Sequence, residues 1–168
     1  MKLIAIAAAS VLLMAGAAQA QQARQVGGTY AELGYTQFKF SGDNATSAKP
    51  SALRGIVGYD VHQNVAIEGM LAFGVSDDQG LKLNHAYGVY VKPKVNVAEA
   101  LELFGRLGYA RVKGTGGGES TTEGGASYGI GANYKFSPTT YVGVDYMRYF
   151  KKDGISANGL TVGVGFRF

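Results

Sequence analysis

The sequence predicts an all-β chain, an eight-stranded antiparallel up-and-down transmembrane β-barrel, on three observations. From Thr29 to Phe168, apolar and polar residues alternate in segments of about ten, as tilted strands do with one face to lipid and one to a lumen. The 26 Gly, 11 Tyr and 8 Phe, against only 3 Pro, favour strands and tight turns and penalise helix throughout. Beyond residue 20 no apolar run approaches the ~20 residues a helical span needs. Membrane residence must therefore come from strands, and only a closed barrel satisfies their backbone there.

The first twenty residues read as a cleaved signal peptide. Met1-Lys2 is a positive start, Leu3 to Gly16 is apolar, and Ala18-Gln19-Ala20 has the small-x-small form of a cleavage site. Residues 21–168 are then a single barrel domain.

Eight segments follow. In Thr29 to Phe40, Ala31, Leu33 and Tyr35 point outward and Glu32, Gly34 and Thr36 inward, while Phe38 and Phe40 break the phase, as a bulge near the rim would. Leu53 to His62 sends Leu53, Val57, Tyr59 and Val61 out and Arg54, Gly58 and Asp60 in. Val65 to Val75 alternates most cleanly; a one-residue slip would place Glu68 in lipid. Asn84 to Lys92 turns Gly88, Tyr90 and Lys92 inward and is expected to end at Pro93. Leu101 to Val112 turns Glu102, Phe104, Arg106, Gly108 and Ala110 inward. In Ala126 to Phe136 the parity reverses, with Tyr128, Ile130, Tyr134 and Phe136 outward and Ser127, Asn133 and Lys135 inward. Thr140 to Phe150 faces Asp145, Met147 and Tyr149 inward, and Asn158 to Phe168 does the same with Thr161 and Arg167.

The connections alternate as well. Segments 41–52, 76–83, 113–125 and 151–157 are polar or Gly-rich and are expected to be long outer loops, whereas 63–64 and 137–139 are short turns and 93–100 a longer one. An even strand number puts both ends of the barrel on the periplasmic side. A soluble barrel with this alternation would have to enclose ten ionised groups, a heavy desolvation cost.

The lumen-facing acids are Glu32, Asp60, Glu68, Glu102 and Asp145, and the bases Arg54, Lys92, Arg106, Lys135 and Arg167. Eight strands enclose only enough room for their own side chains, so equal opposite charge implies a salt-bridged plug. Glu32, Glu68, Arg106 and Asp145 should share a middle depth with Arg106 as hub. A gated ion path through the same residues is the competing reading.

The tract from Gly58-Tyr59 through Asn64-Val65-Ala66-Ile67-Glu68, together with Val144-Asp145-Tyr146, resembles the OmpA/OmpX-type outer membrane barrels, including the opacity-protein-like porin-family proteins. The terminal Leu160-x-Val162-x-Val164-x-Phe166-x-Phe168 is similar to that family's carboxy-terminal signature. The resemblance implies a Gram-negative outer membrane location, with the barrel-assembly machinery, periplasmic chaperones, membrane lipid and lipopolysaccharide as partners. Nothing follows Phe168, so the peptidoglycan-binding domain of full OmpA proteins, and cell-wall anchoring with it, is not expected.

Other chemistry finds little support. With no Cys, disulfides, thiolate catalysis and Cys-ligated metals drop out. The lipid A deacylase type of barrel needs a His and a Ser two residues apart, whereas His62 is followed at that spacing by Asn64 and His85 by Tyr87. Asp77-Asp78 and Glu119 to Glu123 lack regular metal-ligand spacing, so no metal or other cofactor is expected. The net charge of +4 is spread singly, unlike a nucleic-acid footprint. Near the outer rim, Lys49, Lys82, Arg111, Lys113, Arg148, Lys151 and Lys152 are candidate contacts for lipopolysaccharide phosphates. The leading expectation is a non-enzymatic, monomeric envelope barrel; a narrow channel and an adhesin or immune-evasion surface protein are the alternatives.

Overall fold

The computed structural model describes residues 27–42, 45–78, 80–116, 118–152 and 155–168. The expected signal peptide lies outside these residues. The strands are β1 (Thr29–Gly42), β2 (Ala45–Ala48), β3 (Ser51–His62), β4 (Val65–Ser76), β5 (Leu81–Asn96), β6 (Leu101–Gly116), β7 (Glu119–Lys135), β8 (Thr140–Lys152) and β9 (Ile155–Arg167). β2 is a short strand folded back on β1. The other eight pair antiparallel with their sequence neighbours, and β1 pairs with β9 to close an eight-stranded barrel.

Local chemistry explains the strands. Outward positions carry β-branched, aliphatic and aromatic side chains, with Val57, Val89 and Val162 each more than 60% exposed, and inward positions carry the buried charges. Two-residue connections shift the parity of the following strand. Where His62 pairs with Val65, an irregularity between Asp60 and His62 restores it, and one between Arg148 and Phe150 does so for β8 and β9. No such irregularity interrupts β6 and β7, whose ladder runs unbroken to Gly116 opposite Glu119. Odd residues therefore face inward from β7 onward.

Several expectations are corrected. Phe38 and Phe40 do not break the phase: β1 holds one register against β9 from Tyr30 to Ser41. Phe38 faces inward, fully buried, with its ring 4.8 Å from that of Tyr149. The irregularity in β1 lies further on, between Phe40 and Gly42.

Pro93 does not end its strand, which continues to Asn96. Proline cannot donate to the ladder, and the pairing of β5 with β6 skips from Val91 to Lys94. Gly105 lies opposite, and a Cβ there would stand in ordinary contact with the ring, 3.6 Å from Pro93 Cγ. The turn after β5 is thus shorter than expected.

The four segments taken for long loops are largely paired strand. Residues 113–116 and 119–122 form a ladder closed by a tight connection, with Gly118 at φ +88°. Polar and Gly-rich composition here marks strand that runs past the apolar belt, a distinction that hydropathy alone does not make.

Candidate functional site: a charge-paired lumen

The interior is built in three layers. At the end carrying the Gly116–Glu119 hairpin, an apolar cluster of Phe38, Ile56, Met70, Leu83, Val112, Tyr149 and Phe150 fills the cylinder. The sequence placed Tyr149 inward but did not reveal the cap as a whole, because Phe38 was expected to break the phase of its strand and Leu83 to lie in a loop.

Below it lies the first ion cluster. Arg106, fully buried, donates from Nε to Glu68 Oε2 at 2.5 Å, from Nη2 to Glu32 Oε2 at 2.6 Å and from Nη1 to Asp145 Oδ2 at 2.8 Å. Lys92 Nζ bridges Glu32 at 2.9 Å and Glu68 at 3.1 Å. Arg54 clasps Asp145 through both terminal nitrogens and also donates to the Tyr149 hydroxyl at 3.3 Å. Three acids meet three bases. The opposing charges offset the desolvation that would make any one of them very costly to bury.

The second cluster sits toward the chain ends. Lys94 Nζ donates to Asp60 Oδ1 at 2.5 Å, and Arg167 reaches Asp60 at 3.0 Å and Glu102 at 3.4 Å. Asn133 Nδ2 adds a bond to Glu102 Oε1 at 3.1 Å. Two acids meet two bases. Lys94 was not anticipated, because the strand was expected to stop at Pro93. Lys135 Nζ donates to Asn96 Oδ1 at 2.9 Å.

Aromatic rings stand at the boundary between the clusters. Tyr30 donates its hydroxyl to Glu68 at 2.7 Å and Tyr141 donates to Glu32 at 2.9 Å. Lys92 stands 4.8 Å from the Tyr30 ring and 4.4 Å from the Phe104 ring, while Arg167 stands 5.5 Å from Tyr30. Each ring face thus takes a cation at a distance suited to cation–π attraction. The even position of Tyr30 in β1 was the available signal for its inward face. Among the described residues no buried side-chain nitrogen or oxygen lacks a hydrogen-bond partner.

A cavity bordered by Glu32, Arg54, Tyr141 and Asp145 measures about 10 Å³, close to the minimum for one water molecule. Chemically, these residues can neutralise one another and hold the strands in register.

The rim bases do not gather into one site. Lys49, Lys82, Arg111 and Lys151 are exposed on different strands or connections, and Lys113 is half-buried. Arg148 donates to the Tyr128 hydroxyl at 2.8 Å and to Asn158 at 3.2 Å. The side chain of Lys152 lies outside the described residues. His62 accepts the Asn64 backbone N–H at 3.3 Å, and His85 stacks on Tyr87 with centroids 6.3 Å apart. At the terminus, Leu160, Val162 and Phe168 are exposed, Val164 and Phe166 half-buried, and Phe168 N donates to Thr29 O at 2.9 Å.

No curated protein matches this chain. Among solved structures it is similar to Ail, the attachment invasion locus protein of Yersinia pestis, crystallised with the heparin analogue sucrose octasulfate, at 21% identity and TM-score 0.65 over 86% of this chain and 100% of that one. Neisserial surface protein A is similar at 19% identity and TM-score 0.67, over 84% of this chain and 99% of that one. The N-terminal β-barrel domain of Pseudomonas aeruginosa OprF is similar at 16% identity and TM-score 0.59, over 84% of this chain and 98% of that one. At these identities the likeness is one of fold. The family model for the outer membrane protein beta-barrel domain matches residues 8–168. With its closed eight-stranded cylinder and lipid-facing apolar belt, the chain belongs to that family.

Proposed function

We propose that the chain is a non-enzymatic structural barrel of a Gram-negative outer membrane, exported with a cleaved signal peptide. It contributes to envelope integrity and limited surface contact rather than solute passage. The observation that carries this reading is the filled interior: an apolar cap over two charge-balanced clusters, with a cavity of about 10 Å³ between Glu32 and Asp145. Burying so many ions without opening a path serves rigidity and register better than conduction.

The proposed partners are the barrel-assembly machinery and periplasmic chaperones during biogenesis, then lipid and lipopolysaccharide around a monomer. Short hairpin ends offer a small contact face, which favours a structural role over a broad adhesive one. The test is a deletion strain. Loss of the chain should sensitise cells to detergents and bile salts, and the wild-type chain should be recovered from outer membranes as a species whose gel mobility shifts on heating. An intact permeability barrier with defective uptake of one small solute would overturn the reading.

A further inference from the structure

The outer surface of the barrel is not evenly clad. Gly55 and Gly69 face outward on β3 and β4, and beside them opens a groove of about 900 Å³ walled by Val57, Leu71 and Val89. A Cβ built on Gly69 meets nothing within 4 Å, so the hollow is open to the membrane. Toward the hairpin end the groove stops at Tyr87, Tyr109 and Arg111.

Among the described residues Arg111 has no acid beside it on that face. Directly opposite are Tyr87 on β5 and Gly124 on β7. The diagonal positions are His85, Val89, Thr122 and Ala126, and along its own strand the outward neighbours are Tyr109 and Lys113. Its guanidinium hydrogen-bonds the side chains of Tyr87 and Tyr109, keeps its charge and has further donors to offer a phosphate. Lys113 supplies a second cation roughly 7 Å further along the strand.

A groove of acyl-chain character that ends at a cation held by two tyrosines with no acid at the positions around it, and with a second cation beyond, suits a lipid with phosphate at its headgroup. The proposed orientation places this end in the outer leaflet. From that orientation we infer that the face spanning β3 to β6 seats one molecule of lipopolysaccharide through its phosphorylated, multiply acylated anchor, with an acyl chain over Gly69 and a phosphate on Arg111. A second hollow of about 730 Å³, around Gly105, Ala132 and Ile130, is walled mainly by apolar side chains. The one base in its lining, Lys94, is turned inward to Asp60, and the hollow serves as an internal control.

The test uses the full chain purified from outer membranes in mild non-ionic detergent, delipidated and titrated with the diphosphorylated lipid anchor of lipopolysaccharide under native mass spectrometry. Wild type should carry one bound anchor. Arg111→Gln should weaken binding about tenfold, the loss expected for one charged hydrogen-bonded contact. Gly69→Leu should weaken it comparably by filling the groove, while Gly105→Leu should leave it unchanged. Equal binding by wild type and Arg111→Gln, or equal binding of phosphatidylglycerol, would overturn the inference. Heat-shifted gel mobility in every variant separates that failure from failure of the barrel reading itself.

Discussion

Arg106 and Glu68 meet across the lumen from strands that are not neighbours, with Nε 2.5 Å from Oε2. β5 lies between β6 and β4, so the contact ties the curvature of the wall together as well as balancing charge. Replacing Arg106 by Met leaves Glu32, Glu68 and Asp145 short of one buried cation, and breaking such a cluster costs ~3–5 kcal/mol. Urea unfolding of the detergent-refolded chain should show that loss. Adding Glu68→Met should recover more than about 1 kcal/mol, because the uncompensated carboxylate then goes too.

Lys94 and Lys135 should behave differently although both are lysines near the same end. Lys94 is 5% exposed and bonded to Asp60, whereas Lys135 is half-buried beside Asn96. Lys94→Met is expected to cost ~3 kcal/mol or more, and Lys135→Met, at a half-buried position, less than that. The same denaturant titration measures both.

Gly58 lies beneath the ring that caps Glu68. A Cβ there would overlap the Tyr30 ring, which has its hydroxyl 2.7 Å from Glu68. Gly58→Ala should destabilise the barrel by ~1–3 kcal/mol through overpacking. Gly69→Ala, facing open space on the next strand, should lie within about 0.5 kcal/mol of wild type. Parallel unfolding curves for the two alanine variants decide this.

Phe168 is 75% exposed at the end of β9 and bonds to the start of β1 only through its backbone N–H. If its ring acts as an assembly signal, Phe168→Ser should reduce the heat-shifted barrel recovered from cells several-fold. Refolding of the purified variant into detergent should be unchanged. Equal losses in cells and in detergent would assign the ring to stability instead.

Much of this molecule is readable from residue order, for a physical reason. A barrel wall has a strict period of two, so Glu68 and Arg106 at even positions, and Asp145 at an odd one after the switch at β7, fix which face is interior. The register then brings them together around one guanidinium. What stayed hidden had equally specific causes. Phe38 and Phe40 look like lipid-facing residues because hydropathy cannot separate an apolar lumen cap from an apolar belt. Pro93 reads as a stop because it cannot donate to the ladder, yet the pairing resumes at Lys94, and with that stop Lys94 was lost from the network. The Thr- and Gly-rich run 113–125 reads as loop because strands that leave the membrane lose their apolar face while keeping their ladder.

Single-channel recording of the purified chain in planar lipid bilayers tests the sealed interior most directly. Wild type should give no unitary current steps, and neither should Arg106→Ala, because the cap of Phe38, Tyr149 and Phe150 remains above the vacated site. Steady unitary conductance from the wild-type chain, abolished or reshaped by Arg106→Ala, would mean that these charges line a path.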